Sequence, residues 1–142
     1  MTDDELVAAV ENGTLPQELF HHADHVKMAF LFLERYPLLE AIRHFSSSLA
    51  RLATAYGKAN LYNETITWAY LLLIRERLAR AGRRQSWAEF AAANADLLDW
   101  HESILKKYYR EETLNAEFAR ATFVFPDRIE ARSARQAPSQ ST

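Results

Sequence analysis

The sequence predicts an all-α protein, a single-domain helical bundle of about four main helices with short helices at its ends. Three observations predict it. Apolar residues recur at helical spacing over several long stretches. The three glycines, Gly13, Gly57 and Gly82, each follow such a stretch, where a left-handed C-terminal cap belongs. The one β-branched and aromatic run, Thr122 to Phe125, has no second run with which to build a sheet.

Each element follows from its residues. Thr2 to Glu5 reads as a capping box, followed by Leu6, Val7 and Val10 on one face and a stop at Asn12-Gly13. A second helix is expected from about His22 to Tyr36, ended by Pro37, whose ring disfavours helical geometry in the residue before it. Pro37 then serves as the first residue of a third helix, in which Leu38, Ile42, Phe45, Leu49, Leu52 and Tyr56 form one apolar stripe. From about Glu64 to Arg80 the run Trp68-Ala69-Tyr70-Leu71-Leu72-Leu73-Ile74 leaves no polar face, so this helix is expected at the centre with neighbours all round. Ser86-Trp87-Ala88-Glu89 is another capping box, opening a helix through about Ala95. Shorter pieces fit Ser103 to Tyr109 and Thr113 to Ala121. The helical domain is thus expected over residues 1–127, and residues 128–142, with almost nothing to bury, as a flexible tail.

Composition narrows the function classes. With 142 residues, 49% hydrophobic and 25% charged, the chain suits one domain that can be held by an apolar core. The absence of cysteine excludes zinc-ribbon, iron–sulfur, thiolate and redox-disulfide chemistry. A net charge of −2 gives no support to general nucleic-acid binding. The start, MTDDELVAAVENG, has no basic region leading into an apolar stretch, and no long apolar run occurs elsewhere. Neither a signal peptide nor a membrane span is expected, and a cytoplasmic location is the default.

The histidines carry the chemistry. His22 points along the apolar stripe of its helix with Val26, Ala29 and Leu33, and His25 borders that stripe beside Phe32 and Tyr36. A spacing of three puts the two imidazoles on adjacent turns, within reach of one metal ion or one substrate. The bland alternative is a pair of satisfied, half-buried core histidines. His21 is expected outside the helix or exposed, and His44 solvated beside Glu40 and Arg51. His101, in a turn after Asp99-Trp100, is undecided.

An up-and-down path with short connections makes the helices starting near His22 and Glu64 begin at the same end. His22 and His25 would then meet Tyr62, Asn63, Glu64 and Thr65, and the end of the Trp87 helix would bring Asp96 and Asp99 there. Two imidazoles with Glu64 and Asp99 would suit a divalent transition metal, with Tyr62, Asn63 and Thr65 as hydrogen-bonding support. Alternatively, His22, His25 and Glu64 would perform acid–base chemistry on a small molecule, with Glu64 as general base. Two helix N-termini favour an anionic ligand. Against both stands plain capping: Asn63 is a good N-cap, Glu64 a favourable first-turn acid, and the threonines can bond to backbone.

The strings Phe20-His21-His22-Ala23-Asp24-His25-Val26, Tyr62-Asn63-Glu64-Thr65-Ile66-Thr67-Trp68, Leu97-Leu98-Asp99-Trp100 and Phe125-Pro126-Asp127 resemble a group of small, uncharacterised bacterial all-helical proteins. The likeness covers about residues 20 to 127. The group's pattern, F-x-H-x-x-H followed by Y-H-x-T, implies His22 and His25 as the recurring pair of a three-histidine site. Asn63 stands here in place of the third histidine, so a third ligand would fall to Glu64 or an aspartate. The resemblance implies no activity.

Elsewhere, Arg75, Arg77, Arg80, Arg83 and Arg84 form a basic cluster read as solvated cations near a helix C-terminus, with an acidic partner or phosphate as the sharper reading. Trp87, Trp100, Tyr108 and Tyr109 line either a pocket or a helix seam. No G-x-S-x-G, glycine-rich phosphate loop or H-E-x-x-H occurs. Two functions therefore stand: a polar His/Glu pocket acting on a metal or small molecule, and a non-catalytic interaction module, homodimeric in one version, with structural histidines.

Overall fold

A computed structural model describes residues 1–128. They form α1 (Asp3–Glu11), α2 (His22–Arg35), α3 (Leu38–Ala55), α4 (Glu64–Ala81), α5 (Trp87–Ala93), α6 (Glu111–Asn115) and α7 (Glu117–Ala121), with short 3-10 turns between them and no strand among the described residues. The expected tail lies outside these residues except for Arg128.

The helix ends follow local chemistry. Thr2 and Glu5 exchange the two hydrogen bonds of a capping box at α1, and Ser86 and Glu89 do so at α5. At α2 the Asp24 carboxylate accepts from the His21 N–H at 3.0 Å. Tyr36 is extended before Pro37, so α2 ends one residue earlier than expected. Gly57 and Gly82 adopt φ of 71° and 69° beyond α3 and α4.

The three long helices α2, α3 and α4 pack on one another, and α1 lies across α2 and α3. Phe30, Phe32, Phe45 and Tyr70 are the largest buried rings these helices share, and Phe90 joins them from α5. Burying such a ring contributes roughly 1.5–3 kcal/mol, so this aromatic cluster fixes how the helices meet. As expected, α4 is central, touching α2, α3 and α7.

The expected fourth main helix is shorter. The segment after Ser86 is helical only to Ala93, because the Asn94 side chain turns back to the Phe90 carbonyl at 2.9 Å and a 3-10 turn, Ala95–Leu98, follows. This break drives Leu97 into the core. The piece expected at Ser103 to Tyr109 is a 3-10 turn over Ile104–Lys107, and that at Thr113 to Ala121 is divided between α6 and α7.

Thr122 to Phe125 runs extended but pairs with side chains instead of a strand. Val124 N–H donates to Thr65 Oγ1 at 3.1 Å, and Tyr109 OH donates to the Val124 carbonyl at 2.7 Å. No helix among the described residues is long and apolar enough to cross a membrane.

Candidate ligand-binding site

The first turns of α2 and α4 meet the last turns of α3, the arrangement that the up-and-down path requires. Between them lies a cavity of about 270 Å³. Phe20 and His25 line it from the start of α2, Leu49, Leu52, Ala53 and Tyr56 from α3, and Tyr62, Asn63, Ile66 and Thr67 from the start of α4. Lys58, Leu61 and Trp100 complete the lining, the last two 60% and 55% exposed at the mouth. A second cavity of about 250 Å³ adjoins it, sharing Phe20, His25, Ile66 and Trp100 and adding His21, His22 and Tyr70.

The two histidines stand side by side as their spacing predicts, with ring centroids 6.4 Å apart, but their surroundings differ. His22 is half-buried and its Nε2 lies 2.9 Å from the Leu97 carbonyl. A carbonyl only accepts, so this assigns the ring proton to Nε2. Its ring packs on Tyr70 and Trp100, 5.2 and 4.9 Å away. Burial holds its pKa below the ordinary value, outweighing the opposite pull of the Leu97 carbonyl and the Asp99 charge.

His25 stacks on Phe20 at 5.5 Å and meets Phe45 edge-on at 5.6 Å. The residue keeps partial exposure, yet its Nε2 is buried and has no hydrogen-bond partner. Burial, reinforced by the neighbouring His22, depresses its pKa to about 4. It is therefore neutral at physiological pH, with one ring nitrogen a donor and the other an acceptor.

The polar residues expected around this pair are divided among separate tasks. Glu64 does not line the cavity; its Oε1 accepts from Tyr62 OH at 2.5 Å. Burial and then this carboxylate raise the Tyr62 pKa far above its ordinary value. Asn63 caps α4, accepting from Ile66 N–H at 2.9 Å, and its amide donates to the Leu114 carbonyl at 2.8 Å. Thr65 faces away from the histidines, lying within 2.8 and 2.9 Å of the Ala119 and Thr122 carbonyls. Asp96 is withdrawn altogether by a bidentate pair with Arg77, at 2.9 and 2.8 Å. Asp99 is exposed and accepts from Glu102 N–H at 3.1 Å.

Among the described residues no group of three or more His, Asp or Glu side chains is placed to hold a metal ion. The expected ligand set of His22, His25, Glu64 and Asp99 is accordingly not assembled: the imidazoles meet, and the carboxylates do not join them. Glu64 is turned to the Tyr62 hydroxyl, and exposed Asp99 accepts from the Glu102 N–H and reaches His22 only through its charge.

The remaining candidates also find partners. His21 is exposed with Nδ1 3.3 Å from Asp24, while His44 is partly exposed, with its Nε2 3.6 Å from Glu40 as its face predicts and its ring stacked on Tyr36 at 4.3 Å. Arg51 does not join it but reaches the Glu11 carbonyl at 2.8 Å. In the arginine cluster, Arg77, Arg80, Arg83 and Arg84 pair with Asp96, Glu76, Glu89 and Glu34. His101 is exposed. Sequence reasoning missed Phe20, Lys58 and the Leu97 carbonyl as parts of this site. The first two sit in connections whose path only the fold defines, and a main-chain oxygen leaves no mark in the residue pattern.

The chain, an all-α helical protein, matches no family model, no curated protein and no solved structure.

Proposed function

We propose that this protein binds a small, largely apolar molecule in the cavity at the shared end of α2, α3 and α4, with His25 as its hydrogen-bond partner. The observation that carries this reading is the His25 Nε2 atom, buried without a partner in a residue that lines an apolar cavity. Leaving a buried polar atom unpaired costs roughly 1–3 kcal/mol, a cost that a ligand hydroxyl or carbonyl would remove. At about 270 Å³ the cavity lies just below the usual range for ligand pockets, roughly 300–1,000 Å³, and the adjoining cavity of about 250 Å³ extends it. Its walls are aliphatic and aromatic, with few polar groups to fix orientation. Neutral imidazole suits recognition of an uncharged hydroxyl or carbonyl. Metal binding draws no support from the placement of Glu64 and Asp99.

The test is a titration with decan-1-ol followed by tryptophan fluorescence, because Trp100 stands at the cavity mouth. Saturable binding is expected, lost when Ala53→Leu fills the cavity while far-UV circular dichroism stays unchanged, and about ten-fold weaker in His25→Phe. A titration that never saturates, or one that Ala53→Leu leaves untouched, would defeat the reading.

A second reading is favoured by a different face. Phe118 and Phe125 are 69% and 83% exposed, and Phe125 meets Phe123, which stacks on Trp68 of α4. An aromatic surface of this kind suits association with a second copy of the chain. Light scattering over a concentration series tests it, and a monomer throughout would remove it.

A further inference from the structure

Resting on the cavity reading above, we infer that the ligand is an amphiphilic monocarboxylate: an apolar body carrying a neutral hydroxyl or carbonyl for His25 and an acid group that stays at the mouth beside Lys58. Three observations lead there. Among the described residues, Lys58 is the only charged side chain in the cavity lining, and it is exposed. Its ammonium makes no ion pair among the described residues, a state it shares with Arg75 and Lys107, but of these three cations it alone stands in the cavity lining. The acids around the cavity do not compensate it from within: Glu64 is held by the Tyr62 hydroxyl, Asp99 accepts from the Glu102 N–H, and Glu18, whose charge acts on Tyr56, also stands outside the lining.

The division of labour follows from solvation. A carboxylate taken deep into an apolar cavity would lose its hydration with no cation to replace it, so the acid belongs at the wet rim where Lys58 stands. The buried imidazole, neutral at physiological pH, offers an uncharged hydrogen bond to a group on the ligand body. A ligand amine would face the Lys58 charge at the same rim and be disfavoured. Because the adjoining cavity shares His25, Phe20, Ile66 and Trp100 with the first, a body longer than the first cavity has a continuous apolar surface to follow.

The experiment compares 10-hydroxydecanoate, decan-1-ol and 10-aminodecan-1-ol on the full chain at low and high salt. These probes share a chain length and a hydroxyl and differ only at the far end. The acid is expected to bind about five-fold more tightly than the alcohol at low salt, as befits a rim ion pair, and the amine less tightly than either. Lys58→Gln should erase the advantage of the acid and leave the alcohol within about two-fold, and added salt should shrink the acid's advantage. Equal binding of acid and alcohol, or an advantage that survives Lys58→Gln, overturns the carboxylate assignment while the cavity reading stands. If decan-1-ol fails to bind as well, both fall together.

Discussion

On one side of the first turn of α4, Thr65 is completely buried and its single hydroxyl serves the carbonyls of Ala119 and Thr122 and the N–H of Val124. On the other side, where Asn63, Ile66 and Thr67 line the cavity, the facing His25 buries an Nε2 atom that serves nothing. One turn of helix thus separates a polar group saturated with partners from one left without any. The saturated side holds the 119–124 segment against the bundle and has no capacity left for a ligand. The unsaturated side bears a standing energetic cost, and that cost is what a ligand would relieve. Proximity to a histidine pair therefore says less about function than hydrogen-bonding capacity still unused.

The largest way to break this contrast is at Thr65. Thr65→Val keeps the shape but leaves two carbonyls and one N–H without their hydroxyl, and a loss of about 3 kcal/mol in urea unfolding is expected. Decan-1-ol binding by the folded fraction should be unchanged. A stability within error of the parent would mean that water or rearranged backbone serves those groups equally well.

Acid comes next. His25 has a folded-state pKa of about 4, against 6.5 for an ordinary histidine. Below pH 6.5 the unfolded chain takes up a proton that the folded chain refuses, so folding stability is undiminished above that pH and declines down to about pH 4. At about 1.4 kcal/mol per pKa unit, discounted for the residue's partial exposure, the decline is about 2 kcal/mol. His22, also lowered by burial, adds to it in the same direction. Carboxylates with depressed pKa, such as Asp96 and Asp127, lose their contribution at still lower pH. Denaturation at several pH values on the parent and on His25→Phe isolates the histidine, whose replacement should flatten the curve between pH 6.5 and 4.

The same His25→Phe variant sharpens the contrast at neutral pH. Replacing a ring that buries an unpaired nitrogen by one of similar size and no polar atom should raise stability by about 1 kcal/mol while weakening ligand binding. A destabilised variant would indicate that Nε2 is satisfied in solution. The smallest effect is expected at Glu64. Glu64→Gln keeps an acceptor for Tyr62 OH, so stability should move by less than about 0.5 kcal/mol and decan-1-ol affinity should hold. A large loss of binding would restore Glu64 to the site.

Much of this was legible in the chain because the signals are local. Capping boxes at Thr2 and Ser86, the Pro37 break, the glycine caps and the α3 stripe each depend on residues a few positions apart, and each lies where it was expected. The juxtaposition of His22 and His25 is equally local, being set by helical pitch. The fate of the acids was not legible. Asp96 turns to Arg77 because the Ala95–Leu98 turn interrupts the expected helix, and Glu64 turns to Tyr62 two residues earlier in the chain. Such choices depend on which partner is nearer in space and on rotamers that no spacing rule specifies.

By itself, the sequence determined the all-α class, the positions of the long helices and the adjacency of two imidazoles, because backbone propensity, capping and helical periodicity act over one or two turns. Only tertiary structure decided that one imidazole bonds to Leu97 while the other stays unpaired beside a cavity, and that Lys58 stands alone at its mouth. Burial and hydrogen-bond satisfaction are properties of the space between helices, and segments as distant as Phe20, Lys58 and Trp100 acquire them only when the chain is packed.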